Sequence, residues 1–377
     1  MTFDHLQRTR IVFGAETLER IGSLASEIGA SRVLVVSDPG IVRAGHVARA
    51  LTSLTAAGLQ TEVFDGVKEN PDTDVVTACA NAARSFAADL LVGIGGGSSL
   101  DTAKGANFIL TNGGEMRDYH GTGKATQPML PFIAVPTTAG TGSECQSYAL
   151  ISDAVTHVKM ACGDPKAAAR IAILDPSLTC SQPVRVTAVT GIDAIAHALE
   201  TAVTLHRNPL SLMYSREAFR LLAGAFRTVL QQPNDVDARG RMLLGAAFAG
   251  TAIENSMLGA AHASANPLTA RFGVVHGQAV AIMLPSVIRL NLSNPSARAD
   301  YELHARAAGL PGGDALPEAV LGWIADAGLA PNLQTLGVPR DSIPQLASDA
   351  TAQWTGRFNP VPVTAPDFEA LYHQAFA

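Results

Sequence analysis

Through the first half of the chain, short unbroken apolar runs alternate with stretches whose apolar positions recur at helical spacing. Arg32–Ser37 (RVLVVS) reads as a strand buried on both faces, closing on the turn sequence Asp38-Pro39-Gly40. A helical stretch over Val42–Ala57 leads to a strand at Gln60–Phe64. A helix over Asp74–Ala87 precedes a strand at Leu90–Ile94, and a further strand, Phe132–Val135, closes at Pro136. Strands alternating with helices of this length predict βαβ units and a mainly parallel sheet. The pattern changes near Pro176–Pro183. From Val186 onward the periodicity is helical: Val189–Thr204, Leu210–Gln231, Asp235–Asn255, Gln278–Leu290, Ser296–Ala308 and Ala315–Ala327, punctuated by Pro and Gly. The expected organisation is an α/β domain over residues 1–181 and an all-helical domain over residues 182–377. No repeat or low-complexity linker separates them, so close packing with a cleft between the halves is expected.

Composition narrows this picture. The 377 residues suffice for two domains, and 47% hydrophobic against 16% charged residues requires long packed stretches. Aromatics supply only 5%, so Ala, Gly, Leu and Val fill the core, which suits helix–helix and helix–sheet packing better than a β-sandwich. A net charge of −6, with no basic stripe, excludes a nucleic-acid surface. No segment approaches ~18 uninterrupted apolar residues, so no membrane span is expected. Cys79, Cys145, Cys162 and Cys180 form no CxxC pair, and the stretch from Met1 to Arg10 lacks an apolar signal core. A cytoplasmic protein is expected.

Candidate chemistry sits first in the glycine-rich run from Leu91 to Asp101, directly after a predicted strand. Gly95, Gly96 and Gly97 let backbone approach a ligand without an intervening Cβ. Ser98 with Asp101 gives a capping-box-like start to the following helix, whose N-terminus suits a pyrophosphate. The spacing is not GxGxxG, because Ser98 takes the third glycine position, and a plain tight turn reads equally well. Lys104, one turn on, is either a solvated charge or an aid to anion binding. Thr137 and Thr138 open the hydroxyl- and glycine-rich run Pro136 to Glu144, fit to line a phosphate or nicotinamide. Asp38, at the end of the first strong strand, is placed either to bond a ribose diol and repel a 2′-phosphate or simply to start a turn.

Asp193 and His197 lie four apart on a predicted helix, hence on one face, where a carboxylate and an imidazole can share a cation; a plain helical hydrogen bond uses the same spacing. His262 and His276 each sit among small apolar residues, where a lone His is more often a hydrogen-bonded core residue. Three such histidines with an acid shift the balance toward one site, and mixed O/N ligation suits Fe²⁺ or Zn²⁺ over Mg²⁺ or Ca²⁺. His5, His46, His120, His157, His206, His304 and His373 lie in polar or irregular contexts and receive no role.

Together these motifs resemble the iron-containing (group III, or class IV) alcohol dehydrogenase family. The resemblance runs through Ile11–Gly14, Ser37–Gly40, Asn70-Pro71, Gly95–Ser98, Asp101–Lys104, Pro136–Thr138, Gly142–Glu144, Asp175-Pro176, Gly191–Asp193, His197–Glu200, His262 and His276-Gly277, in order, and thins beyond about residue 300. It implies an α/β domain with a parallel dinucleotide-binding sheet plus an all-α metal-binding domain, the two-domain fold shared with dehydroquinate synthase. It implies Asp193, His197, His262 and His276 as ligands of Fe²⁺ or Zn²⁺, and a pyrophosphate at Gly95–Ser98 beside Asp101. It further implies cofactor contacts at Thr137, Thr138, Lys159 and Leu178, and Asp38 near the adenosine ribose, favouring NAD over NADP. The reaction it implies is hydride transfer between a nicotinamide and a small alcohol or aldehyde, the metal polarising the oxygen. A homodimer or larger homo-oligomer is implied as well.

One position departs from the family's pattern. Many members read His-x-x-x-His-Pro-Leu; here the second position is Asn266, before Pro267-Leu268. Asn hydrogen-bonds but does not titrate near neutral pH, which puts a histidine-mediated proton relay in doubt. Glu254 is also unusual for a pocket-lining segment and reads as a surface partner or a substrate contact. Other readings within the fold are a hydroxyacid–oxoacid transhydrogenase or hydroxyacid dehydrogenase, with Arg271 meeting a carboxylate. A dehydroquinate-synthase-like cyclase lacks its dense cationic set here, and a maleylacetate reductase resembles the chain but lacks the acidic ligand.

Overall fold

The apolar runs of the first half form central β-strands buried on both faces, as parallel strands flanked by helices must be. In the computed structural model, which describes residues 3–156 and 158–376, the order is β1 (Arg10–Phe13), α1 (Ile21–Glu27), β2 (Arg32–Val36), α2 (Pro39–Arg43), α3 (His46–Ala56), β3 (Gln60–Phe64), α4 (Thr73–Phe86), β4 (Leu90–Gly95) and α5 (Gly97–Asn112). There follow β5 (Gly121–Thr122), β6 (Phe132–Pro136), β7 (Tyr148–Ser152), β8 (Lys159–Gly163) and β9 (Ile171–Leu174). His157 lies outside the described residues.

Six strands make one sheet in the order β1-β9-β6-β4-β2-β3, every pair parallel. Alternate residues feed opposite cores. Leu34, Val36, Leu91, Phe132 and Ala134 pack on α4 and α5, whereas Val33, Val35, Leu90, Val92, Ile94, Ile133 and Val135 pack with residues of α1 and α3 on the other side. The chain runs from β2 outward to β3, then returns to place β4 on the other side of β2. That reversal, between the carboxyl ends of β2 and β4, is where open α/β sheets bind ligands. Residues 6–138 and 142–182 form this compact unit. Within it β5, β8 and β7 make a second, three-stranded sheet with one parallel and one antiparallel pair, not anticipated from the sequence.

The expected helix over Val42–Ala57 is two helices, α2 and α3, broken at Ala44-Gly45. The expected capping box of Ser98 and Asp101 is absent: α5 begins one residue before Ser98, with Gly96 as its N-cap and no side chain capping it. Ser98 instead accepts a hydrogen bond from Asn70 N at 3.3 Å.

Residues 183–376, with residues 3–5 and 139–141, form the second unit. It is helical: α6 (Val184–Thr201), α7 (Pro209–Gln231), α8 (Val236–Glu254), α9 (Ala260–Phe272), α10 (His276–Asn291), α11 (Pro295–Ala307), α12 (Leu316–Asp326), α13 (Ile343–Thr351) and α14 (Ala365–Gln374). Helix α6 packs on α7, α8 and α10, and α9 packs on α10 and α13. Among the described residues no helix is long and apolar enough to cross a membrane.

Candidate functional site

Helices α6 and α9, both packed on α10, carry the candidate ligands together with α10 itself. Asp193 and His197 are one turn apart on α6, His262 stands in the first turn of α9, and His276 is the first residue of α10. The next residue, Gly277, explains how α10 approaches so closely: a Cβ there would sit 2.0 Å from the Val189 carbonyl oxygen of α6. Any larger residue would push His276 away from Asp193.

Asp193 Oδ1 lies 3.4 Å from His262 Nε2, 3.6 Å from His197 Nε2 and 3.9 Å from His276 Nε2. Asp193, His262 and His276 each offer a donor atom within 4.8 Å of the others, while His197 joins through Asp193 and by stacking its ring on His262 at 4.8 Å. Three of the four are nearly inaccessible, and the His276 side chain keeps 29% of its exposure. Asp193 Oδ1 and His262 Nε2 are buried without a hydrogen-bond partner. Such orphaned groups are costly unless a partner that is not part of the chain satisfies them. One carboxylate oxygen ringed by three imidazole nitrogens is a donor set that fits Fe²⁺ or Zn²⁺.

The electrostatics agree. Burial alone would raise the Asp193 carboxyl, but the imidazoles of His197, His262 and His276 outweigh it and hold the group well below the usual carboxylate range. Burial alone would lower His262, but the carboxylates of Glu200 and Asp193 outweigh it and lift it to about 9. His197 is lowered, chiefly by burial. The cluster therefore favours positive charge facing Asp193, as an imidazolium or as a bound cation. Glu200, quoted in the motif but given no role from sequence, is the additional residue here. It is buried on α6 and hydrogen-bonds His262 Nδ1. The available signal was its spacing, seven residues after Asp193 and three after His197 on a buried face.

In the α/β unit, the carboxyl ends of β2, β4 and β6 bring together Asp38, Gly95–Ser98 and Thr137–Thr138. Gly95 has φ +151°, and a Cβ on it would meet Ser99 Oγ at 2.3 Å and Asp38 Oδ2 at 3.4 Å. Gly95 carbonyl accepts from Thr137 N at 2.9 Å, and a Cβ on Gly96 would touch Thr138 Cγ2 at 3.3 Å. The hydroxyls of Ser99 and Thr137 are buried without partners. Bare backbone, an uncapped helix start and orphaned hydroxyls at one strand-end crevice fit a pyrophosphate. Asp38 caps α2, its Oδ1 accepting from Gly40 N at 2.8 Å and Ile41 N at 3.1 Å, while Oδ2 faces the Gly95 backbone.

Other candidates are placed differently. Asp101 is buried, with Oδ1 accepting from Ser143 Oγ at 2.6 Å and Oδ2 from Leu150 N at 3.2 Å. Lys104 is neither a solvated charge nor exposed to an anion. It is 1% exposed, and its Nζ donates to Ser143 O at 2.6 Å, Ser143 Oγ at 2.7 Å and Tyr148 O at 2.8 Å. Leu178 is fully buried in the core on the α1/α3 side, and Lys159 opens β8 opposite Ser152. Arg271 forms an exposed ion pair with Asp349, and Glu254 ends α8. Asn266 donates to Gln353 Oε1 at 3.0 Å.

Comparison with known proteins follows the same outline. The family model for iron-containing alcohol dehydrogenase matches residues 8–176, and that for the C-terminal part of the Fe-containing alcohol dehydrogenase family matches residues 187–376. The chain is 34% identical to lactaldehyde reductase of Escherichia coli (strain K12), covering 94% of this chain and 96% of that one. Among solved structures it is similar to 1,3-propanediol oxidoreductase, with a TM-score of 0.96, 30% identity and 100% coverage of both chains. It is also similar to sulfoacetaldehyde reductase from Bifidobacterium kashiwanohense in complex with NAD+, with a TM-score of 0.91 and 28% identity, covering 100% of this chain and 99% of that one.

Proposed function

Because the chain belongs to the iron-containing alcohol dehydrogenase family, we propose that it interconverts small alcohols and aldehydes using NAD and one Fe²⁺ or Zn²⁺. The observation that carries this reading is Asp193 Oδ1, buried and ringed by three imidazole nitrogens at 3.4 to 3.9 Å. Asp193, His197, His262 and His276 would hold the cation. When bound, the metal polarises a substrate oxygen as a Lewis acid and the nicotinamide carries the hydride.

The chain's own residues bind and orient. In this reading residues 1–181 are the nucleotide domain and residues 182–377 the metal domain. Gly95–Ser98 and the start of α5 seat the pyrophosphate, with Thr137 and Thr138 alongside. Asp38 Oδ2 takes the ribose diol and disfavours a 2′-phosphate. Asp101 remains in the proposed cofactor set and also holds the loop before β7 through Ser143. Lys159 and Leu178 remain in the proposed cofactor set, Leu178 through the packing under the crevice. The buried ligands exclude water from the acid–histidine cluster, which strengthens its field. The relatives named for lactaldehyde and 1,3-propanediol point to short, hydroxyl-bearing substrates for this chain too. A panel of small alcohols, diols, aldehydes and hydroxy acids, followed as NADH formation or consumption with Fe²⁺ or Zn²⁺ present, tests the proposal. Turnover of short alcohols or aldehydes is expected; turnover of hydroxy acids alone would replace it with the hydroxyacid reading.

A further inference from the structure

We infer that Glu200 is a positioning residue for the metal centre, fixing the proton of His262 on Nδ1 so that Nε2 presents its lone pair beside Asp193. The inference rests on the metal reading above. Glu200 is 2% exposed, and its two oxygens serve the same short segment of α9. Oε2 pairs with His262 Nδ1, and Oε1 accepts from Ala261 N at 2.7 Å. Helix α9 begins at Ala260 after Gly259, which has no side chain to cap it. Its first N–H groups need outside acceptors, and an anion there also meets the positive end of the helix. Asn359 Oδ1 supplies a second acceptor, for Ala260 N at 3.3 Å, and is held by Asn291 Nδ2 at 3.1 Å. Asn359 therefore supports the helix start without touching the imidazole.

The pairing has a directional consequence. A carboxylate only accepts, so in the neutral ring the nitrogen facing it carries the hydrogen and the other nitrogen is left as a donor of electrons. That other nitrogen, His262 Nε2, is the one 3.4 Å from Asp193 Oδ1. A carboxylate behind a ligating imidazole also raises its basicity. Glu200→Gln separates capping from tautomer control. Its amide oxygen still accepts from Ala261 N, while its NH₂ group turns toward His262 Nδ1 and forces the imidazole hydrogen onto Nε2.

The test measures Zn²⁺ affinity by chelator competition in the full chain for wild type, Glu200→Gln, Glu200→Asp and Asn359→Ala, with thermal stability recorded for each. Glu200→Gln should bind Zn²⁺ about 10- to 100-fold more weakly, in line with losses of such supporting partners elsewhere. Asn359→Ala should lose thermal stability yet bind Zn²⁺ within about twofold of wild type, because its bonds go to Ala260, Asn291 and Val361 and none to the imidazole. In Zn²⁺-loaded wild type, the ¹⁵N spectrum should show His262 protonated at Nδ1, a readout that does not depend on any variant folding. Glu200→Gln with wild-type Zn²⁺ affinity, or His262 protonated elsewhere, overturns the inference and leaves Glu200 as a helix cap. A wild-type chain that retains no Zn²⁺ overturns the metal reading, and this inference with it.

Discussion

Asn266 Nδ2 donates to Gln353 Oε1 at 3.0 Å, one helical turn beyond His262 on the same helix. Residues four apart on a helix share a face, so a neutral amide stands where many family members carry a second histidine. Neither amide of the pair titrates near neutral pH. Asn266→His should therefore add an ionisation to the pH profile of kcat, with a midpoint between about pH 6 and 7. Rate profiles of the two proteins across that range check this. Superimposable profiles would show that position 266 does not reach the reacting groups.

Lys104 is a buried staple. Its ammonium satisfies the Ser143 carbonyl, the Ser143 hydroxyl and the Tyr148 carbonyl, and stands 3.6 Å from Asp101. Lys104→Met keeps the length of the side chain but removes the cation beside a buried carboxylate and the donor to three acceptors. Removing one partner of a buried ion pair costs about 3–5 kcal/mol. Urea unfolding should show a loss in that range, and Ser143→Ala a smaller one of about 1–2 kcal/mol. A Lys104→Met variant as stable as wild type would mean that the network is not holding the loop before β7.

The strand–helix alternation was legible because central parallel strands are near-continuous apolar runs: Arg32–Val36, Leu90–Gly95 and Phe132–Pro136 lie where the sequence pattern put them. The edge strand Gln60–Phe64 lies where expected too, although its QTEVF sequence is half polar and half exposed. The edge strand β1 and its neighbour β9 have only four residues each, too short for a period to declare itself. Helix α9 was also invisible in the pattern, since its core face is alanine and Pro267 interrupts it, although Pro267 sits inside the helix. The acid and three histidines could be listed from the sequence, but not their convergence on Asp193 Oδ1, which depends on Gly277 letting α10 lie against α6. The burial of Lys104 is hidden in the sequence, because its acceptors are some forty residues away from a lysine that follows a glycine-rich loop by one turn. His304 is hidden in the same way: its neighbours in sequence are polar, yet the side chain is fully buried.

That burial makes stability depend on pH. His304 lies between Ser215 Oγ, 2.9 Å from Nε2, and the Asp300 carbonyl, 2.8 Å from Nδ1, and the Arg216 cation also disfavours its charge. Desolvation lowers its pKa from 6.5 to about 4. The unfolded chain thus binds a proton that the folded chain refuses between those values, so stability falls as pH falls through the window and levels off below it. The contribution is about 3 kcal/mol in all, from roughly 1.4 kcal/mol per unit. Urea midpoints of wild type and His304→Gln between pH 7 and pH 4.5 check it, with the wild type expected to show the steeper decline. Parallel declines would remove His304 as the source.

Asp38 has two separable roles, since Oδ1 caps α2 while Oδ2 faces Gly95. Asp38→Gly should cost only a few tenths of a kcal/mol in stability, because glycine is itself tolerated as an N-cap. It should shift the ratio of kcat/KM for NAD over NADP toward NADP, by removing the carboxylate that repels a 2′-phosphate. An unchanged ratio would leave Asp38 as a helix cap alone.

If Asp193 and its three histidines hold a metal required for turnover, metal content and activity must move together. Metal content of the isolated protein, measured alongside activity before and after chelation and after adding back Fe²⁺ or Zn²⁺, decides this. About one Fe or Zn per chain, loss of activity on its removal, and recovery on its return are expected. A chain that carries no transition metal and turns over substrate unchanged after chelation would contradict the metal reading.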